Sequence, residues 1–152
     1  MHSDDKNGID YSMLQSRLGY KLRRAQLVYF DVFSEACAQE GITPGLFGIL
    51  AIVYHNPGLT QTAVSNALDV DRSAMVAAID KLEGMEVVER RKSKHDRRSY
   101  ALYLTEKGKA FTERLDRQVN EGESAFDSFL SEEERRWLLD TLDRIIQARK
   151  GG

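Results

Sequence analysis

Near the start of the chain, apolar residues fall at Leu18, Leu22, Ala25, Tyr29, Val32 and Ala36, in alternating steps of four and three. That spacing keeps them on one helical face and predicts one long helix over 9–40, closed by Gly41. Thr43-Pro44 joins a capping hydroxyl to a residue pre-set for the first helical position. A second helix therefore begins there, carries the apolar run Leu46 to Tyr54 and stops at Asn56-Pro57-Gly58. Thr60 caps a short third helix to about Leu68. After a turn at Asp69 to Asp71, Asp71 caps a fourth helix with Met75, Ile79 and Leu82 as its buried stripe. The period then changes from helical to alternating. Val87-Val88 and Ser99-Tyr100-Ala101-Leu102-Tyr103-Leu104 read as two strands joined by the polar loop Lys92 to Arg98. Thr105-Glu106-Lys107-Gly108 opens a long helix to about Phe129. Ser131-Glu132-Glu133-Glu134 is a capping box that starts a last helix with Leu138, Leu142, Ile145 and Ile146 on one face.

The fold class that follows is mostly α with a small β-hairpin. The third helix, tight turn, fourth helix and hairpin spell a winged helix-turn-helix lobe, flanked by N- and C-terminal dimerisation helices. The first helix is long and has few neighbours of its own. Its stripe predicts an obligate homodimer in which the terminal helices of a second copy cover it, at about 25 cal/mol per Å² of apolar area buried. Trp137 in the last helix reads as part of that packing.

Composition narrows the function classes. With 41% hydrophobic and 30% charged residues and only two prolines, the chain is globular, neither disordered nor collagen-like. Its longest apolar run is far short of the roughly 20 residues of a membrane span. The acidic opening Met1-His2-Ser3-Asp4-Asp5 lacks a signal-peptide layout, so the expectation is a cytoplasmic protein without a membrane partner. Cys37 is the lone cysteine, and His2, His55 and His95 lie at no metal-binding spacing, so neither metal nor cofactor is expected. No Ser/His/Asp set, glycine-rich phosphate loop or carboxylate pair marks an enzyme. The net charge of −2 argues at first against nucleic acid. Local charge argues the other way: Arg90, Arg91, Lys92, Lys94, Arg97 and Arg98 outweigh Glu89 and Asp96 in one short segment, whereas acidic residues prevail from Phe111 to Gly152.

Thr60-Gln61, Leu68-Asp69-Val70-Asp71-Arg72-Ser73, Asp80-Lys81-Leu82-Glu83, Val88-Glu89-Arg90-Arg91, Asp96-Arg97-Arg98-Ser99 and Leu104-Thr105-Glu106-Lys107-Gly108 resemble the multiple antibiotic resistance regulator (MarR) family. The similarity is close over about 43–110, and the flanking helices match in length and placement. It implies one domain over 1–152, with a DNA-binding lobe at 43–108 and dimerisation helices at 9–42 and 109–149. It further implies a sequence-specific, ligand-responsive transcription factor. The usual form is a homodimeric repressor, released from a palindromic double-stranded operator by a small effector, either an aromatic anion or a thioester.

By position, the resemblance gives Arg98 the minor-groove contact and Asp96 the task of orienting it. Thr60, Gln61, Ser65, Asn66, Arg72 and Ser73 fall on the DNA-contacting helices, and Lys92, Lys94, His95 and Arg97 add phosphate contacts. Two departures stand out. Val76, Ala77 and Ala78 occupy the middle of the recognition helix, where the family often has threonine, serine or arginine, so hydrogen-bonded base readout is thin and contact with thymine methyls is the remaining option. Glu86 stands where a glycine usually closes that helix, which predicts a shifted helix end.

Arg17, Tyr20 and Arg24 share a face of the first helix and suit an aromatic carboxylate or phosphate as effector site, the alternative being a solvated face with local ion pairs. Cys37, with Glu35 and Glu40 nearby, reads as a packing residue instead of a peroxide sensor. An activator of the same fold and a helical protein-interaction module remain alternative functions.

Overall fold

The computed structural model describes residues 8–94 and 98–149. Its elements are α1 (Ser12–Gln15), α2 (Leu18–Ala38), α3 (Pro44–His55), α4 (Gln61–Ala67), α5 (Arg72–Gly84), β1 (Val88–Lys92), β2 (Tyr100–Leu104), α6 (Glu106–Phe126) and α7 (Glu132–Ala148). The fold is mostly helical with one antiparallel hairpin, as the hydrophobic pattern predicts.

Helix starts follow the capping residues read from the sequence. The Thr43, Thr60 and Thr105 hydroxyls accept the amides of Leu46, Ala63 and Gly108. At Ser131 both halves of the capping box form: the hydroxyl accepts from the Glu134 amide at 3.0 Å, and the Glu134 carboxylate accepts from the Ser131 amide at 3.1 Å. Asp71 is the N-cap of α5, and its carboxylate takes the Ser73 hydroxyl.

Three helices end alike. At Gly41, Asp69 and Glu86 the backbone turns left-handed, with φ of 75°, 51° and 64°. In each case the next amide reaches back to the helix, as with Val87 to the Leu82 carbonyl at 3.2 Å, which is the Schellman arrangement. Glu86 therefore does not shift the end of α5. The chain holds the glycine-type conformation with a glutamate, at a local conformational cost.

The predicted 9–40 helix is broken. Ser16 closes the single turn of α1, and Arg17 is extended (φ −87°, ψ 121°) before α2 begins. The apolar residues at this end, Met13, Leu14 and Leu18, are exposed. With these apolar side chains exposed, a continuous helix has little to stabilise it beyond intrinsic propensity.

One core joins the elements. Leu46, Ile49, Leu50 and Val53 of α3, Val64 of α4 and Met75, Ile79 and Leu82 of α5 meet Val87, Val88, Leu102 and Leu104 of the hairpin. Phe111, Leu115 and Val119 of α6 and Ala36 and Cys37 of α2 continue the same cluster, so the long helices are not packed apart from the lobe. Cys37 is fully buried, and burial pushes its thiol pKa up, which agrees with a packing role. Gly108 seats α6 on the hairpin: a Cβ there would lie 1.9 Å from the Val87 carbonyl oxygen. By contrast α7 buries none of its residues, and Trp137, Leu139, Ile145 and Ile146 stand exposed along it. No described helix is long and apolar enough to cross a membrane.

Candidate nucleic-acid interface

The hairpin pairs Val88 with Leu104 through Lys92 with Tyr100, so Lys92 belongs to β1 and not to the loop. The outer edge of β2 is also occupied. Gly58 donates to the Leu102 carbonyl at 2.8 Å and Leu102 to the Leu59 carbonyl at 2.9 Å, which ties the wing to the entry of α4. Exposed cations Arg91, Lys92, Lys94 and Arg98 run along this hairpin. Arg91 is aligned by Glu89 at 3.2 Å and by the Tyr103 ring, 4.1 Å from its guanidinium carbon. His95, Asp96 and Arg97, assigned to the wing from the sequence, lie outside the described residues.

Arg90 differs from its neighbours, and the sequence count of basic residues misplaces it. Its side chain is only 16% exposed and is bound to Asp80 and Glu83 of α5, each at 2.7 Å. It also donates to the Gln61 side chain at 3.2 Å and to the Val76 carbonyl at 3.3 Å. One guanidinium thus joins β1, α4 and α5. Its planar fork permits this, whereas a lysine could not satisfy the same set of acceptors.

On α5, Met75, Ile79 and Leu82 face the core, leaving Arg72, Ser73, Val76, Ala77, Asp80 and Lys81 exposed. The Ser73 hydroxyl donates to Asp71 and holds that carboxyl below its usual pKa. On α4 the phase corrects one expectation. Ser65 is buried, 3% exposed beside Val64, because this short helix turns that face into the core; Asn66 is the exposed neighbour. Thr60 and Gln61 are half-buried, one capping α4 and the other holding Arg90.

The expected effector residues are not gathered as predicted. Arg17 precedes α2 in extended conformation, so it does not continue the helical face of Tyr20 and Arg24. The latter two contact each other, Arg24 donating to the Tyr20 hydroxyl at 3.3 Å. A cleft of about 360 Å³ lies elsewhere, between α3 and α6, lined by Phe47, Ala51, Tyr54, His55, Thr112, Glu113, Asp116 and Arg117. Within it the Tyr54 hydroxyl donates to Glu113 at 2.7 Å, which raises the tyrosine pKa. The signal for this cleft in the sequence is weak: its aromatic residues sit inside the apolar run of α3 and read as core. Among the described residues no cluster of His, Cys, Asp and Glu could hold a metal ion.

Comparisons with known proteins bear on this arrangement. A family model described as the MarR family matches residues 42–100. The putative transcriptional regulatory protein for the hcr operon of Thauera aromatica is 37% identical over 138 residues, covering 90% of this chain and 83% of that protein. The HTH-type regulator YdgJ of Bacillus subtilis (strain 168) is 31% identical over 134 residues, covering 86% and 78%. Among solved structures, the transcriptional repressor CouR bound to a 23-mer DNA duplex superposes with a TM-score of 0.85 at 36% identity, over 91% of this chain and 98% of that one. CouR bound to p-coumaroyl-CoA gives 0.81 at 34% identity, over 91% and 97%.

Proposed function

Since this chain belongs to the MarR family and is a transcriptional regulator, we propose that it acts as a homodimeric repressor that clamps a palindromic operator and leaves it when a small effector binds. In this reading 43–108 is the DNA-binding lobe, and 9–42 and 109–149 are the dimerisation arms. The observation that carries it is the exposed face of α5 beside the cationic hairpin. A helix of this width fits the major groove, and an arginine-tipped hairpin fits the narrower groove next to it. Arg72 and Asn66 supply contacts on the helices, while Gln61 holds Arg90, Ser73 is tied to Asp71 and Thr60 sets the start of α4. Lys92, Lys94, His95, Arg97 and Arg98 supply them on the wing, where Asp96 orients Arg98. Ser65 is removed from this set by its burial.

The repressor sign is supported by the likeness to CouR, described as a repressor and solved on DNA. A second copy would cover the apolar residues left exposed on α1, α2 and α7. The effector is an aromatic acyl thioester or a related aromatic acid, a class supported by p-coumaroyl-CoA on CouR. Its ring seats in the α3–α6 cleft against Phe47 and Tyr54, and its charged end lies toward Arg117. Because that cleft lies between a lobe helix and an arm helix, filling it changes the angle between them, and a ligand that prefers one angle shifts the DNA-competent population.

The test is Arg98→Ala. Specific DNA affinity falls by at least tenfold while the dimer, measured by light scattering, stays intact. Unchanged affinity would contradict the wing assignment.

A further inference from the structure

The outward face of α5 carries an unusual mixture. Opposite the buried Met75, Ile79 and Leu82 stand Ser73, Ala77 and Asp80, with Val76 beside them. Two of these are engaged within the protein: the Ser73 hydroxyl donates to Asp71, and the Asp80 carboxylate receives Arg90 at 2.7 Å. What remains at the middle of the face is Val76, 44% exposed, and the exposed Ala77, neither with a side chain able to form a hydrogen bond. The exposed cations Arg72 and Lys81 border them along the helix.

A small apolar strip between cations suits a polyanion that carries small apolar projections. On a duplex that description fits the C5 methyl of thymine, the apolar group among the base edges of the major groove. A protein partner would call for a wider apolar patch than two small side chains provide. Resting on the DNA-binding reading above, we propose that Val76 and Ala77 are specificity-determining residues that read thymine methyl groups in each half-site. Base identity under the middle of α5 is then set by methyl contact and by the exclusion of polar edges from an apolar surface. The bracket of Arg90 onto Asp80 and the Val76 carbonyl holds this strip in place relative to the wing.

The experiment starts from a duplex that the full-length protein selects out of a random-sequence pool. Each thymine of the half-sites is then replaced in turn by deoxyuridine, which removes the methyl and keeps every hydrogen-bonding group. Affinity is expected to fall about fourfold at one or two thymines per half-site, the worth of one buried carbon. In Val76→Ala, an exposed position where folding is not at stake, the penalty at one of those thymines shrinks toward none, while the others persist. Deoxyuridine tolerated at every thymine, or the same penalties in both proteins, would overturn the proposal and leave the regulator reading standing. A pool that yields no enriched sequence would overturn the DNA-binding reading itself, and the proposal with it.

Discussion

Two glycine substitutions of opposite sign follow from backbone conformation at single residues. Glu86 holds φ at 64°, a region that penalises any residue with a Cβ, and its side chain makes only an exposed ion pair with Lys107 at 3.7 Å. Glu86→Gly is expected to stabilise the protein by up to about 1 kcal/mol, read as a higher denaturant midpoint with an unchanged slope. Gly108 is the reverse case. Gly108→Ala gains helix propensity but drives a methyl into the Val87 carbonyl, so it should lower stability by about 1–3 kcal/mol in the same measurement. The sequence makes neither case visible in full. It shows that Glu86 replaces an expected glycine, but whether the helix end moves or strains is decided by the Val87 and Glu86 amides bonding back onto α5. Ser65 was illegible for a related reason: α4 is too short for its apolar spacing to define which face turns inward.

At the scale of elements, the sequence was most informative where a local rule suffices. Thr43, Thr60, Thr105 and Ser131 cap the helices they precede because a hydroxyl and a nearby orphan amide need no distant partner. Joints between elements depend on distant residues, and there the reading failed. Nothing near Arg90 in the sequence distinguishes it from Arg91, yet it bridges α4, α5 and β1. Arg90→Gln should therefore lower stability by about 1–2 kcal/mol by leaving two acidic groups without their shared cation. It should also weaken specific DNA binding, although the side chain is turned inward. The Glu40 joint between α2 and α6 gives a pH dependence. The Arg114 guanidinium at 3.1 Å, and then Gln118, hold the Glu40 carboxyl below its usual pKa. A depressed folded-state pKa contributes stability above the unfolded carboxyl value of about 4.3, and loses it as pH falls through the folded value. Glu40→Gln should flatten that acid limb of the stability profile.

For the whole molecule, α2 and α6 close onto the core within one chain and α7 does not. The last helix exposes Trp137 to 67% of its surface, together with a row of leucine and isoleucine, and buries nothing. Of the apolar stripe predicted there from spacing, Leu138 and Leu142 are half-buried and Ile145 and Ile146 exposed, and the second copy proposed from the first helix would cover the exposed part. Trp137 is the lone tryptophan, so its emission should be blue-shifted in the dimer and move to the red on dilution into monomer. An emission maximum at the solvent-exposed value at all concentrations would contradict arm pairing. The central claim, a duplex held through α5 and the cationic wing, is tested most directly by a salt titration comparing a selected duplex with a scrambled one of the same composition. The account predicts that log affinity falls steeply and linearly with log salt for both, with the selected duplex bound about a thousandfold or more tightly. Equal affinity for the two duplexes at low ionic strength would contradict it.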